Sequence, residues 1–201
     1  MSLIAFLGCD GSGKSAVISG VSTAFRDAGC PVSLGHWRPI AFQAGASESA
    51  AASADNPHGQ KQRGRFSSVL KLGWLWVHWW VGWMRHLKAQ SEAGVVLFDR
   101  YHADLLVDPK RYRYGGPMFL ARWASRMMPQ PDLVVFLDAE PDVLLQRKQE
   151  VSREALVESR AAYLSIVKIH PRFRVVNANQ PLASVIAEVV ELAKNCRTLA
   201  K

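Results

Sequence analysis

A glycine-rich segment near the start of the chain constrains the fold more than any other feature. It reads Gly8-Cys9-Asp10-Gly11-Ser12-Gly13-Lys14-Ser15, which fits the pattern G-x-x-x-x-G-K-[ST]. A short apolar run, Leu3–Leu7, precedes it, and the residues after it have helical spacing. In this context of strand, loop and helix, backbone N–H groups and a helix N-terminus converge on phosphate oxygens. The segment therefore predicts a nucleotide site; the alternative is a chance glycine turn before a helix.

The residue types within this segment predict ATP and Mg²⁺ as ligands. We expect Lys14 to reach the β- and γ-phosphates and the Ser15 hydroxyl to bind Mg²⁺. The predicted nucleotide-binding residues are Gly8, Asp10, Gly11, Ser12, Gly13, Lys14 and Ser15.

Length and charge narrow the class of protein. A chain of 201 residues predicts one domain over residues 1–201. Lys and Arg number 25 against 17 Asp and Glu, which gives a formal charge of +8. This charge suits polyanionic partners, namely nucleotides, nucleic acid or an acidic membrane surface, and does not choose among them.

The cysteines and the N-terminus predict a cytoplasmic protein. Cys9, Cys30 and Cys196 are far apart and lack metal-ligand spacing, which is typical of a reducing compartment. The first residues carry no basic region or cleavage pattern, so we expect no signal peptide. Cys9 is either a reactive thiol or a small residue that fills the loop.

Apolar runs alternate with helical patterns, which predicts an α/β fold with a parallel sheet and crossover helices. The predicted strands are Leu3–Leu7, Val32–His36, Val95–Phe98, Leu133–Leu137 and Phe173–Val176. The predicted helices are Ser15–Ala28, Phe66–Ala89, Phe119–Met128, Pro141–Arg147, Glu154–Ile169 and Leu182–Asn195.

Two segments differ from this pattern. Residues 41–64 are rich in Ala, Ser and Gly and predict a long mobile loop, which either covers a substrate or is an idle insertion. The helical pattern of Phe66–Lys88 holds five of the seven tryptophans and is apolar on most sides. Such a helix is usually buried, which favours core packing plus a homodimer interface. One wall of an acceptor pocket and contact with a membrane surface are the alternatives.

The third predicted strand ends at Asp99-Arg100-Tyr101, beside the place where ligands bind in open α/β sheets. We expect Asp99 to hold a magnesium-bound water or to accept a proton, and Arg100 to grip a phosphate. Tyr101 is a predicted substrate contact at the same strand end. The alternative is a salt-bridged turn.

Two further groups of residues predict an acceptor site. Arg38 follows the second strand, where arginine can hold a phosphate or carboxylate, and Trp37 stacks on a planar ligand or packs. Lys110, Arg111 and Arg113 form a concentrated basic loop among tyrosines. That loop binds the acceptor, is a solvated basic loop, or forms a nucleic-acid patch.

The stretch 147–154 predicts a lid over the γ-phosphate. We expect a cation from this stretch to stabilise charge in the transition state. Arg147 is the first candidate and Arg153 the second. The alternative is ordinary salt bridges with Glu150 and Glu154.

Together these segments resemble the thymidylate kinase family of P-loop nucleoside monophosphate kinases over nearly the whole chain. The resemblance is carried by the glycine-rich segment, by Asp99-Arg100-Tyr101 and by the strand Pro131–Asp138 with its following helix. It implies a P-loop NTPase fold of three αβα layers with a five-stranded parallel sheet and a lid, Mg-ATP as donor and a homodimer. Gly11 stands where some members carry an arginine, and such members supply that cation from the lid.

The chain also departs from that family. Trp37-Arg38-Pro39-Ile40 stands in place of R-E-P-G, and the glutamine-bearing segment that reads thymine is not recognisable. The pattern is closer to thymidylate kinase-like proteins found with cell-surface polysaccharide genes. The resemblance therefore implies the fold and the donor but not the acceptor.

Three hypotheses follow for the function. The first is a nucleoside monophosphate kinase of thymidylate kinase type, in which Arg38 and Arg100 hold the acceptor phosphate. The second is a kinase for a hydroxyl on a nucleoside, sugar or polysaccharide precursor, with Asp10 or Asp99 as base. The third is a nucleotide-dependent switch or assembly factor. Nucleic-acid binding is disfavoured because no recognition motif is present.

Overall fold

The computed structural model describes residues 2–36, 64–148 and 151–199. These residues form a five-stranded sheet in which all strands are parallel, in the order β2-β3-β1-β4-β5. All five predicted strands are confirmed: β1 (Ser2–Leu7), β2 (Val32–His36), β3 (Val95–Asp99), β4 (Leu133–Asp138) and β5 (Phe173–Asn177). The predicted mobile loop 41–64 lies outside the described residues, apart from Gly64.

The helices follow the predicted pattern with two differences. The long tryptophan-rich helix is α2 (Arg65–Gly82), which continues through a π-helical segment (Trp83–Leu87) into α3 (Lys88–Ala93). A short helix after β3, α4 (Ala103–Val107), was not predicted, since five residues are too few for a periodic signal. The others are α1 (Lys14–Asp27), α5 (Met118–Arg126), α6 (Pro141–Arg147), α7 (Arg153–Ile169) and α8 (Leu182–Leu199).

Local signals in the sequence explain where several helices begin and end. Helix α1 ends in a Schellman motif, in which Gly29 has φ 75° and the N–H of Cys30 donates to the Phe25 carbonyl. Helix α6 starts with Pro141, whose fixed φ suits the first helical position. At the start of α7, the Ser152 hydroxyl accepts a hydrogen bond from the N–H of Ala155.

The central strands β1, β3 and β4 form the core, because helices cover both faces of the sheet. On one face α1 packs against α8, and they approach so closely that a Cβ on Gly20 would lie 2.2 Å from Ile186 Cδ1. On the other, Trp79 of α2 is fully buried with its ring 5.2 Å from that of Phe98. This arrangement is compatible with a three-layer αβα fold.

The strand order determines where a ligand can bind. The connection after β1 runs toward β2, whereas the connection after β4 runs toward β5 on the opposite side. In open parallel sheets a crevice forms at the carboxyl ends of strands whose connections diverge in this way. The glycine-rich segment after β1 therefore lies at this crevice, beside the residues that follow β3 and β4.

Candidate functional site

The loop between β1 and α1 has a backbone that only glycine suits at two positions. Gly11 and Gly13 have φ values of 84° and 82°, and Gly13 is the residue that caps α1. A Cβ on Gly11 would also lie 3.0 Å from the Leu144 carbonyl oxygen and 3.5 Å from Lys148 Cβ. The end of α6 therefore packs directly on the loop and leaves no room for a larger residue at position 11.

Lys14 is buried inside this loop. Its Nζ donates to the carbonyl oxygens of Gly8 and Cys9, at 2.8 and 2.9 Å. Burial, together with the nearby Arg100 guanidinium, lowers the pKa of the Lys14 ammonium to about 8, although Asp10 and Asp99 oppose that shift. The ammonium is thus held by uncharged carbonyl oxygens that a phosphate oxygen could replace.

A second feature of the site is Asp10, which is bound by two arginines. Arg100 Nη2 donates to Asp10 Oδ1 at 2.7 Å, and Arg111 Nη1 donates to Asp10 Oδ2 at 2.6 Å. Burial raises the pKa of the Asp10 carboxyl, but Arg111 and Arg100 outweigh it and hold the pKa well below its usual range. Asp10 is therefore a weak proton acceptor, and it links the loop after β1 to two of the four predicted acceptor arginines.

Asp104 is a functional candidate that the sequence reasoning missed. It lies fully buried in α4, where it accepts hydrogen bonds from Arg100 Nη1 at 2.6 Å, from the Tyr163 hydroxyl at 2.7 Å and from the Tyr112 hydroxyl at 3.3 Å. The sequence does contain a signal for Asp104, namely a carboxylate among the apolar residues of α4. A charge that is buried in this way needs partners, so its presence indicates a network.

The Asp104 network joins several segments of the chain. Tyr163 belongs to α7 and Tyr112 to the loop before α5, and the pKa of each phenol is raised well above its usual value by burial and by Asp104. Both phenols therefore remain hydrogen-bond donors. Arg100 has φ 66°, a strained conformation for a residue with a side chain, and its guanidinium bridges Asp104 to Asp10.

Asp99 and Ser15 are the predicted magnesium ligands. Asp99 ends β3, and its buried Oδ1 has no hydrogen-bond partner among the described residues, while Oδ2 lies 4.0 Å from His36 Nε2. Ser15 is exposed in the first turn of α1. Magnesium usually takes one or two protein oxygens and completes its shell with waters and phosphates, and a carboxylate oxygen such as Asp99 Oδ1 is the kind of ligand it takes.

Asp10, Arg100, Arg111 and Tyr163 border a cleft of about 580 Å³, within the range of ligand sites. Its walls are the start of the loop after β1, the segment 107–111 and the N-terminal part of α7. The charged lining residues of opposite sign are equal in number, with Asp10, Asp108 and Glu158 against Arg100, Lys110 and Arg111.

Two predicted substrate residues lie away from this cleft. Tyr101 is buried in the core, where its ring meets Trp79 edge-on at 5.0 Å and its hydroxyl donates to the Pro129 carbonyl at 2.6 Å. Arg113 has φ 54° and borders a separate small pocket beside Leu72 of α2. The left-handed backbone at Arg113 turns the loop, so Arg111 and Arg113 border different pockets. Trp37 and Arg38 lie outside the described residues.

The two predicted lid arginines are bound elsewhere. Arg147 donates from both terminal nitrogens to the Ala178 carbonyl at 3.2 Å, and Arg153 pairs with Asp142 on the exposed surface at 2.8 Å. Lys148 belongs to the same segment, and its Cβ packs beside Gly11 of the loop after β1. Residues 149 and 150 of the predicted lid lie outside the described residues.

Two more observations complete the site. Arg160 of α7 forms a two-pronged pair with Asp138 at the end of β4, with nitrogen–oxygen distances of 2.6 and 2.8 Å. Burial raises the pKa of the Cys9 thiol to about 11, which agrees with a loop-filling role and not with a reactive thiol. Among the described residues, no group of three or more His, Cys, Asp or Glu side chains could hold a metal ion.

A comparison with models of known protein families finds no match to this chain. Among the described residues, no helix is both long enough and apolar enough to span a membrane.

Proposed function

We propose that this chain is an ATP- and Mg²⁺-dependent phosphotransferase with a P-loop NTPase fold, a nucleoside monophosphate kinase of thymidylate kinase type. The observation that carries the proposal is the position of buried Lys14. It lies in a glycine-shaped loop at the N-terminus of α1, next to a cleft with two convergent arginines. Phosphoryl transfer needs positioning and charge neutralisation above all, and these groups supply both.

The phosphate loop would hold the donor. The N–H groups at the start of α1 bind the β- and γ-phosphates, and Lys14 exchanges its two carbonyl partners for phosphate oxygens. Ser15 and Asp99 would hold the magnesium ion, which neutralises charge on the β- and γ-phosphates.

The acceptor would enter from the side of Arg100 and Arg111. An acceptor phosphate is already ionised, and it competes with Asp10 for the two guanidinium groups. Its oxygen attacks the γ-phosphorus, the bond from that phosphorus to the β–γ bridging oxygen breaks, and ADP leaves with that electron pair. Lys148, whose Cβ packs beside Gly11, would approach the transferred group and neutralise its charge.

A kinase for a hydroxyl acceptor is the second candidate, and two observations favour it. The charges that line the cleft balance, so they leave no excess of cations for a second dianion. The buried Oδ1 of Asp99 also lacks a hydrogen-bond partner among the described residues, so it could accept a hydroxyl proton. Asp10 is the poorer base because two arginines hold its pKa down.

An acceptor screen tests both candidates. The protein is mixed with Mg-ATP and with nucleoside monophosphates including dTMP, with nucleosides or with sugars, and ADP release is followed. Turnover on a monophosphate supports the first candidate, and turnover on a hydroxyl compound alone supports the second. ATP binding without turnover on any acceptor contradicts both and indicates a nucleotide-dependent switch.

A matched pair of variants then locates the acceptor. Arg111 and Arg113 belong to the same loop, but only Arg111 borders the cleft. Arg111→Ala is expected to raise the KM for the active acceptor about a hundredfold, since a charged hydrogen bond is lost. Arg113→Ala leaves that KM within about twofold. Equal effects of the two variants would move the acceptor site away from this cleft.

A further inference from the structure

The outer face of helix α2 is apolar although it faces solvent. Five large apolar side chains lie on it with alternating spacings of four and three residues. Their exposed fractions are 60% for Leu70, 52% for Trp74, 52% for Val77, 41% for Val81 and 71% for Met84. Contiguous apolar patches on soluble proteins mark interaction sites. These five residues are called the α2 stripe below.

The fold does not use the α2 stripe for its own core. The opposite side of the helix provides the core contacts, with Leu72 and Trp79 buried. A helix that is apolar all round is normally buried on all sides, yet no described residue buries the stripe. The described residues therefore leave the stripe accessible to a binding partner.

One flank of the stripe is basic. Lys71, His78 and Arg85 recur every seven residues and thus lie along one side of the helix, next to the apolar positions. His78 is also in contact with the stripe, because its ring centroid lies 4.0 Å from that of Trp74. The sequence from residue 65 to residue 91 contains no Asp or Glu. A partner that covers the stripe therefore meets basic side chains from this segment and no acidic ones.

This charge pattern discriminates between two kinds of partner. If a second copy paired through the same stripe, both helices would bring cations and neither would bring a carboxylate to balance them. An anionic bilayer meets both requirements, because its interface accepts Trp, Leu and Met side chains while lipid phosphates attract Lys and Arg. We propose that the α2 stripe and its basic flank dock the protein on an anionic membrane surface.

The proposed attachment of α2 to the membrane is peripheral. No described helix is able to cross a bilayer, so α2 would lie in the plane of the interface with its inner side still packed on the sheet. Stable attachment generally needs two signals, and here these are the apolar stripe and the flanking cations. The proposal does not depend on the phosphotransferase activity, because vesicle binding can be measured whether or not the protein transfers phosphate.

Vesicle binding tests this proposal directly. The full chain is sedimented with vesicles of phosphatidylcholine, or with vesicles in which about a third of the lipid is phosphatidylglycerol. We expect binding to the anionic vesicles only, with affinity that falls as salt is raised. Tryptophan emission should shift to the blue on binding. Equal binding to both compositions, or binding to neither, overturns the proposal.

Matched variants locate the surface. Trp74 and Trp123 are exposed to similar extents, 52% and 58%, but Trp123 belongs to α5. Trp74→Ala should weaken vesicle binding about tenfold, and Trp123→Ala should leave it unchanged. Arg85→Gln should weaken binding about fivefold, with Arg122→Gln of α5 as its control. Val77→Ser replaces Trp74→Ala if circular dichroism shows that the latter is unfolded.

Light scattering distinguishes membrane docking from dimerisation through the α2 stripe. A chain that is monomeric without lipid and binds anionic vesicles supports the proposal. A stable dimer that Val77→Ser dissociates, in a protein that ignores vesicles, shows instead that the stripe pairs two copies, and the membrane proposal then fails.

Discussion

The two sides of the cleft are built by different means. On the side of β1 and α1, the backbone shapes the site: Gly11 and Gly13 have positive φ values, and Lys14 bonds to the carbonyls of its own loop. On the side that follows β3, side chains shape it: Arg100 bonds to Asp10 and Asp104 bonds to Tyr163, which joins segments that are distant in sequence. Under the proposed function these are the donor side and the acceptor side, and they are named so below.

This difference has a physical consequence. A backbone-shaped loop depends on a few local dihedral angles, so most changes outside it leave it intact. A buried network of charges is collective, because removal of one partner leaves another charge without compensation. Single substitutions should therefore act on function alone on the donor side, and on function and folding together on the acceptor side.

The largest expected effect is the loss of ATP turnover in Lys14→Ala. The ammonium has no role in packing apolar groups, so the variant should fold, yet turnover with the active acceptor should fall at least about a thousandfold. The measurement is ADP release, with the melting temperature recorded in parallel. Arg26→Ala, at the exposed far end of α1, is the control and should retain full activity. Unchanged turnover in Lys14→Ala would remove the basis of the proposed function.

The second prediction tests the acceptor side through Asp104→Asn. The substitution keeps the shape of the side chain but leaves the buried Arg100 with one carboxylate partner in place of two. Loss of one member of a buried charge pair costs about 3–5 kcal/mol, so the free energy of unfolding should fall by about that amount. Urea denaturation measures it, and ATP affinity should change little.

A control shows whether charge or location matters. Glu158 borders the same cleft but is exposed, so Glu158→Gln should leave stability within about 0.5 kcal/mol of the parent. If Asp104→Asn were equally harmless, the acceptor side would not be a collective network, and the distinction between the two sides would fail.

The same difference explains what could be predicted from sequence. The strands were found because buried parallel strands are continuous apolar runs, such as Val95–Phe98 and Leu133–Leu137. The glycine-rich turn between β1 and α1 could be predicted because its signal lies within the consecutive residues Gly8–Ser15, and its binding of phosphate stays a prediction. Both depend on neighbours in the chain.

The acceptor side depends on contacts that sequence spacing does not encode. Arg100 and Arg111 converge on Asp10 because the chain returns to the β1 loop from 90 and 101 residues away. Tyr101 follows Arg100 directly, yet the left-handed backbone at Arg100 leaves Tyr101 facing the core. Neither direction could be deduced from the motif alone.

The third prediction concerns the proton of Lys14. Its pKa of about 8 in the free protein means that a substantial fraction of the molecules carry neutral Lys14 at pH 8.5. Phosphates favour the charged form, so ATP binding at pH 8.5 should take up protons, whereas at pH 6.5 it should take up almost none from this group. Calorimetry of ATP binding in two buffers with different ionisation enthalpies measures the uptake.

The lowered pKa of Lys14 also makes the stability of the nucleotide-free protein depend on pH. The folded pKa lies below the unfolded value of 10.5, so between about pH 8 and pH 10.5 the unfolded chain binds more protons at this site. The free energy of unfolding contributed by Lys14 therefore rises with pH across that window. Lys14→Met should lack both this rise and the proton uptake, and proton uptake that persists in Lys14→Met would assign the effect to another group.

The smallest expected effect belongs to the predicted lid segment, residues 147–154. Arg153 lies on the exposed surface with Asp142, and Lys148 packs beside Gly11 of the phosphate loop. Arg153→Ala should change neither the melting temperature nor the turnover measurably, because exposed ion pairs contribute little and neither Arg153 nor Asp142 borders the cleft. Lys148→Ala should lower kcat about tenfold with little change in ATP affinity, since a cation that approaches the transferred phosphoryl group acts mainly in the transition state. The reverse result, a silent Lys148→Ala and an impaired Arg153→Ala, would mean that the lid rearranges on closing and that Arg153 leaves Asp142 to reach the phosphates.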